Sequence, residues 1–209
     1  MNKVSGQQMA NEAEEVMLKQ LKKSFKTVNV QETQWKEINI KSLVLVESLL
    51  NLAEQRNCCL RAVEAANNPV VAQFPDLADR LNASLLYSME VVMKKLRENM
   101  HSLQEIQKKV SRINNNSMEV YNKHHKVLGL DRAIKRSATC PSISDMLEWL
   151  ADLARIFSQE ITMRNVLLDK IRYEDENSMK KLRIEFKEDN ITNHAQDNVL
   201  KLVLFLEGD

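Results

Sequence analysis

The chain has 209 residues, a formal net charge of +1, and only 3 Gly and 3 Pro. Strands joined by tight turns need Gly and Pro, whereas long helices do not, so this composition excludes a β-rich fold. The near-neutral charge excludes the strongly basic profile of a dedicated nucleic-acid-binding domain. We therefore predict an all-α protein, an elongated bundle of about five or six helices with long central antiparallel helices.

The first part of the chain predicts two helices before a proline-bounded connection. Residues 1–9 are polar and lack periodicity, so we expect a disordered N-terminus. One amphipathic helix is predicted over 10–27, and Val28-Asn29-Val30 is predicted to break it from a second helix over 31–66. A connection over 69–75 follows. The second helix carries a heptad seam formed by Trp35, Ile38, Ser42, Leu45, Leu49 and Leu52.

A third and very long helix is predicted over 76–127, where it would extend for about 75 Å. Gly129 is suited to end it in the left-handed conformation. A single domain is expected overall. It would consist of the N-terminal helices over 10–128 with a long hairpin-like pair, a basic loop over 129–141, and C-terminal helices over 142–209 that pack on the same bundle.

The next predicted helix begins at Ser142, where Asp145 three residues later completes a capping box in its Asp form. Two adjacent apolar stripes on this helix indicate packing on two sides. We expect one stripe to complete the bundle and the other to stabilise the scaffold that partners contact. A short helix around Leu182 and a final one over 191–206 follow. The candidate partner-binding or scaffold residues are Trp35, Met146, Leu147, Trp149 and Leu150.

The histidines and cysteines of this chain do not have the spacing that a metal site or a catalytic site requires. The adjacent His124 and His125 diverge on a helix, and the three cysteines show no metal-binding pattern. Glycine-rich phosphate loops and nucleophile turns are also missing. We predict no enzyme activity, no cofactor and no metal. Apolar runs are too short for a membrane span, and free thiols suit the cytoplasm and nucleus.

Charge is unevenly distributed along the chain. Residues 101–136 hold eight Lys/Arg against three Asp/Glu, and residues 142–209 hold nine against fourteen. The basic arm, residues 94–136, could follow a phosphate backbone, so an RNA- or chromatin-associated helical protein is the alternative function. Pairing of this arm with the acidic C-terminal third is the favoured interpretation, and direct nucleic-acid binding is disfavoured.

One block of sequence resembles a known family. Residues 141–152, Pro-Ser-Ile-Ser-Asp-Met-Leu-Glu-Trp-Leu-Ala-Asp, are similar to a block of the AIRIM family of ribosome-maturation factors. Three shorter blocks agree in order, at residues 50–55, 74–77 and 205–207, and Trp35 precedes them as in that family. The resemblance runs from about residue 15 to the end of the chain, and it thins between 174 and 198.

The resemblance implies an adaptor without catalytic activity. Proteins of this family join a CINP-like helical protein and SPATA/AFG-type AAA ATPases. That assembly acts in cytoplasmic maturation of the large ribosomal subunit precursor, where the ATPase extracts an assembly factor for recycling. A role in replisome proteostasis is also proposed for the family. Contact with the pre-ribosomal large subunit would be indirect.

Overall fold

The described part of the chain forms five α-helices. The computed structural model describes residues 2–64, 74, 76–137, 140–188 and 191, and these residues contain no strand, which confirms the all-α prediction. The predicted final helix over 191–206, apart from Ile191, and the connection over 69–75, apart from Phe74, lie outside the described residues. The helices are α1 (Asn2–Glu64), α2 (Leu77–Leu128), α3 (Leu130–Ala133), α4 (Ile143–Asp169) and α5 (Glu176–Lys187).

The chain divides into two units. Unit 1 contains the residues up to Lys36 together with Gln104–Ile161, and unit 2 contains Glu37–Leu103 together with Thr162–Glu188. Helices α1, α2 and α4 each contribute one segment to unit 1 and another to unit 2. The single-domain organisation expected from the sequence stays a prediction.

Unit 1 is built on an antiparallel pairing of α1 with α2. The hydroxyl oxygens of Ser24 and Ser117 lie 2.9 Å apart across this pair, and both residues are buried. Helix α4 packs against α1, where Trp35 meets Phe157 edge to face, with 5.2 Å between ring centroids. The other large apolar side chains of this core include Met17, Leu21, Phe25, Ile106, Val110, Met146, Leu150 and Leu153.

Unit 2 also pairs α1 with α2 and adds the end of α4 and the whole of α5. Asn99 donates to the hydroxyl of Ser42 at 3.1 Å, and Arg56 donates to the side chain of Asn82 at 2.8 Å. The Asp175 side chain caps α5 by accepting hydrogen bonds from the backbone N–H groups of Asn177 and Ser178. The core of this unit includes Val46, Leu49, Met89, Met93, Leu96, Leu103, Met179, Leu182 and Phe186.

Helix α1 is longer and less interrupted than predicted. It begins at Asn2, so the predicted disordered start is helical from that residue, and it continues through the break predicted at Val28-Asn29-Val30. Val28 is only 2 % exposed and lies on the same face as the fully buried Phe25 and Trp35. Because burying such a side chain stabilises more than the few tenths of a kcal/mol by which β-branched residues disfavour helix, the helix propagates.

Helix α2 agrees with the predicted long helix within a residue at each end, and the asparagines at 114–116 do not interrupt it. Gly129 follows with a φ of 76°, as the sequence predicts, although its ψ of 156° differs from that of a left-handed helical residue. The predicted basic loop over 129–141 is not loop throughout, since the short helix α3 forms directly after Gly129.

Candidate functional site

The start of helix α4 is fixed by a capping box. The Ser142 hydroxyl accepts a hydrogen bond from the Asp145 backbone N–H at 3.0 Å, and the Ser142 N–H donates to the Asp145 carboxylate at 3.2 Å. The two side chains therefore satisfy two backbone donors that a helix end leaves without intrahelical partners. This reciprocal pair confirms the capping box predicted from the sequence.

Arg136 clamps the same carboxylate from the preceding loop. Its Nε and Nη2 donate to the two oxygens of Asp145 at 2.8 and 2.7 Å, which makes a bidentate pair. Hydrogen bonds from Arg136, followed by the contacts with Ser142, lower the pKa of Asp145 from 3.8 to about 2. The carboxylate is thus charged at neutral pH, and it ties Arg136 to the first turn of α4.

Replacing Asp145 by Asn is expected to destabilise the protein by about 1 kcal/mol at neutral pH, since it weakens both the cap and the clamp. The folded pKa lies below the unfolded value, so the stabilisation is present above pH 3.8 and is lost as the pH falls toward about 2. Urea unfolding followed by circular dichroism, repeated across this pH range, measures the difference from wild type.

Asp152→Asn is the matched control, because Asp152 is exposed on the same helix and pairs with the exposed Arg155 at 2.9 Å. Such a pair contributes less than about 0.5 kcal/mol. Equal effects of the two substitutions at neutral pH, or a pH-independent effect of Asp145→Asn, would contradict the assigned role of Asp145.

Four of the five candidate residues lie in the core of unit 1. Trp35 and Leu150 are 0 % exposed, Met146 is 1 % and Leu147 is 6 %. Trp149 differs from these four because it is half-buried. The structure therefore places Trp35, Met146, Leu147 and Leu150 where they support the helix packing, and it leaves Trp149 with surface that a partner could contact. Their roles in partner binding stay predictions.

The surface beside Trp149 is acidic. Glu148 and Asp152 are exposed, and both lie within one turn of the tryptophan on α4. Ile156, two turns further along the same face, is half-buried as well. A partly exposed tryptophan flanked by polar side chains resembles the energetic centre of many protein interfaces. The apolar stripe of this helix predicts Trp149 as a candidate residue. Glu148 and Asp152 are not predicted individually, because the sequence shows only that their segment is acidic.

The basic arm is exposed along α2. Lys109, Arg112, Lys123 and Lys126 all face solvent, and Lys108 pairs with Glu105 on its own helix at 2.8 Å. An ion pair of Arg136 with Asp145 joins the end of the arm to the acidic C-terminal third. Wider pairing of the arm with that third stays a prediction.

The described residues contain no group of three or more His, Cys, Asp or Glu side chains arranged to hold a metal ion. Cys58 is exposed, and Cys59 and Cys140 are partly buried free thiols. Burial raises the pKa of Cys140, which disfavours the reactive thiolate. Among the described helices, none has the length and hydrophobicity to cross a membrane.

Comparison with known proteins identifies relatives along most of the chain. Residues 15–205 match the family described as Ribosome biogenesis protein C1orf109-like. The AFG2-interacting ribosome maturation factor of Homo sapiens is 32 % identical over 196 residues, which cover 90 % of this chain and 93 % of that protein. The Mus musculus protein of the same name is 29 % identical over 195 residues, covering 92 % and 89 % of the two chains.

A third relative, the AFG2-interacting ribosome maturation factor of Xenopus tropicalis, is 30 % identical over 148 residues, covering 71 % of this chain and 72 % of that protein. These similarities confirm the resemblance that the block at residues 141–152 indicates. The same block contains the capping box, the clamped carboxylate and the half-buried tryptophan of α4. The chain belongs to the C1orf109-like family of ribosome biogenesis proteins.

Proposed function

We propose that this chain is a non-catalytic adaptor that binds an AFG2-type AAA ATPase and a CINP-like helical protein during maturation of the large ribosomal subunit precursor. Support comes from relatives named for interaction with AFG2 and for ribosome maturation. The protein would act in the cytoplasm and nucleus, with contact to the pre-ribosome through its partners. The ATPase would supply the mechanical work, and this chain would supply a docking surface.

The half-buried Trp149 at the start of α4 is the observation that carries this proposal. Its helix is fixed in place by the Ser142–Asp145 box and the Arg136 clamp, so the indole is presented from a rigid element. A preorganised aromatic side chain loses little conformational entropy on binding, which is why such residues dominate interface energies. The acidic neighbours Glu148 and Asp152 would select a partner surface that is neutral or basic.

Replacing Trp149 by Ala is expected to reduce recovery of the ATPase in pull-downs by about tenfold or more. Because the side chain is only half-buried, the free energy of unfolding should fall by just about 1–2 kcal/mol. Affinity purification of the tagged full chain from cells, with quantitative mass spectrometry, measures recovery, and urea unfolding measures stability.

Ile113→Ala is the matched stability control, since Ile113 is also half-buried in unit 1 but lies on α2. It should lose similar stability and retain both partners. Recovery of neither partner by the wild-type chain would remove the adaptor proposal, and normal recovery by Trp149→Ala would place the interface elsewhere. Recovery that disappears after ribonuclease treatment would favour the RNA-associated alternative.

A further inference from the structure

Three large apolar side chains face solvent where α2 turns into α3. Val127 is 46 % exposed, Leu130 is 71 % exposed and Ile134 is 54 % exposed. Scattered single residues of this kind are common on protein surfaces. These three, in contrast, fall within eight consecutive residues of unit 1, and we name them the α2–α3 corner.

The corner is held in a defined conformation. The Ile134 N–H donates to the Leu130 carbonyl at 3.1 Å, so the two side chains lie one helical turn apart on the same face. Leu128 and Ala133, the neighbours of this segment, are each only 2 % exposed and attach it to the core of unit 1. The apolar side chains therefore face water while the backbone that carries them is packed.

Two side chains clamp the segment from either side. Arg132 donates to Asn11 at 2.6 Å and to Glu14 at 3.1 Å, both on α1. Arg136 makes the bidentate pair with Asp145 on α4. Because both cations are already engaged within the unit, they fix the corner in position and contribute little free positive charge to it.

Other cations give the corner a basic rim. Residues 123–136 contain five Lys/Arg and a single acidic residue, Asp131. Besides the two clamped arginines, the cations are Lys123, Lys126 and Lys135, all exposed and without an ion pair inside the part of the chain that the structure describes. An apolar surface with lysines at its edge complements a ligand that is apolar in the middle and acidic at its sides.

We propose that the α2–α3 corner binds an acidic amphipathic helix of a partner protein. Such a helix presents apolar side chains at positions i, i+3 and i+7, which would cover the corner, and carboxylates beside them, which would face the lysines. Nucleic acid fits less well, because proteins recognise exposed bases mainly by stacking aromatic side chains and none of the three corner residues is aromatic. The corner shares no residue with the proposed adaptor contact at Trp149, so this inference goes beyond that contact.

The test uses a fluorescein-labelled helical peptide with Leu and Ile at i, i+3 and i+7 and Glu along both flanks. Fluorescence anisotropy with the full chain should show saturable binding that weakens with added salt. Leu130→Asp combined with Ile134→Asp should weaken it by about tenfold or more. Ile40→Asp combined with Val44→Asp is the matched control, since these residues are 64 % and 61 % exposed and also lie four apart on a helix. That control should bind normally.

A second variant pair tests the charge of the rim without altering the apolar corner. Lys123→Glu with Lys126→Glu changes two exposed side chains, and it should also weaken peptide binding by about tenfold. This pair keeps the test decisive if the Leu130/Ile134 variant loses its circular dichroism signal.

Four outcomes would overturn the proposal. The first two are no binding of the acidic peptide, and equal binding of a peptide that has Lys in place of Glu. The third is an equal loss of binding in the Ile40/Val44 control. The fourth is that the chain does not bind the peptide but sediments with phosphatidylserine–phosphatidylcholine vesicles in a way that depends on the corner residues. The last result would assign the corner to an anionic membrane surface.

Discussion

Replacing Trp35 by Ala is expected to lower the free energy of unfolding by about 3–5 kcal/mol. Trp35 is 0 % exposed, and its ring meets Phe157 at an interplanar angle of 83°. Truncation would remove the largest side chain of the unit 1 core and leave a cavity that the long helices α1 and α4 cannot close without moving as rigid rods. Chemical denaturation followed by circular dichroism measures the loss.

A double-mutant cycle with Phe157→Ala separates the ring contact from the general loss of packing. The edge-to-face pair should contribute a coupling energy of about 0.5–1.5 kcal/mol. Trp149→Ala serves as the comparison for an incompletely buried tryptophan and should cost less. A loss below about 1 kcal/mol for Trp35→Ala would show that α1 and α4 do not pack through this residue.

Replacing Arg164 by Ala should destabilise the protein by about 2–5 kcal/mol, because it truncates a large side chain that is almost fully buried. Arg164 is 1 % exposed, donates from Nη1 to the Asn39 side chain at 2.7 Å, and lies 4.7 Å from the centre of the Phe186 ring. It thus joins α4 to both α1 and α5 inside unit 2. Truncation removes a large buried volume and also the hydrogen bond that Arg164 donates to the Asn39 side-chain carbonyl.

Arg183→Ala provides the matched control in the same unit. Arg183 pairs with Glu47 at 2.6 Å, but its side chain is 55 % exposed, so its loss should cost less than about 1 kcal/mol. Urea unfolding of the two variants side by side tests the difference. Similar values for Arg164→Ala and Arg183→Ala would mean that the buried guanidinium does not connect the helices of unit 2.

The helical class and the bounds of α2 were predictable because both depend on local properties. Low Gly and Pro content and a long apolar repeat are enough to indicate a helix of this length. The break at Val28-Asn29-Val30 was wrong because it relied on propensity alone. Val28 is buried beside Phe25, and tertiary packing of this kind outweighs a propensity difference of a few tenths of a kcal/mol.

The position of the buried stripe on α1 was only approximately predictable. The predicted seam is confirmed at Trp35, Ser42 and Leu49, which are all buried. Its members Ile38 and Leu45 are only half-buried, and the neighbouring Asn39 and Val46 are buried instead. Asn39 is buried because it accepts from Arg164, 125 residues further along the chain. A periodicity count treats such polar residues as solvent-facing, so it cannot locate a stripe that depends on distant partners.

The candidate site was predictable in its local part. Ser142 and Asp145 are three residues apart, which is sufficient to indicate the capping box. The Arg136 clamp depends on how the segment after Gly129 folds back, and that path includes a helix the sequence did not indicate. Met146 is buried and Trp149 is half-buried because different neighbours cover these two side chains of α4. The sequence of α4 alone does not specify those neighbours.

The small polar pairs between α1 and α2 have a consequence for how this chain can change in evolution. Ser24 meets Ser117, and Ser42 meets Asn99, each within its own unit. A slide of one helix along the other by a single turn would break these contacts between the helices, at a cost of about 0.5–1.5 kcal/mol for each lost hydrogen bond. Ser42 and Ser117 would keep their hydrogen bonds to backbone carbonyls of their own helices. Insertions or deletions inside α1 or α2 are therefore expected to be rare, unless a matching change in the other helix restores the contacts between them.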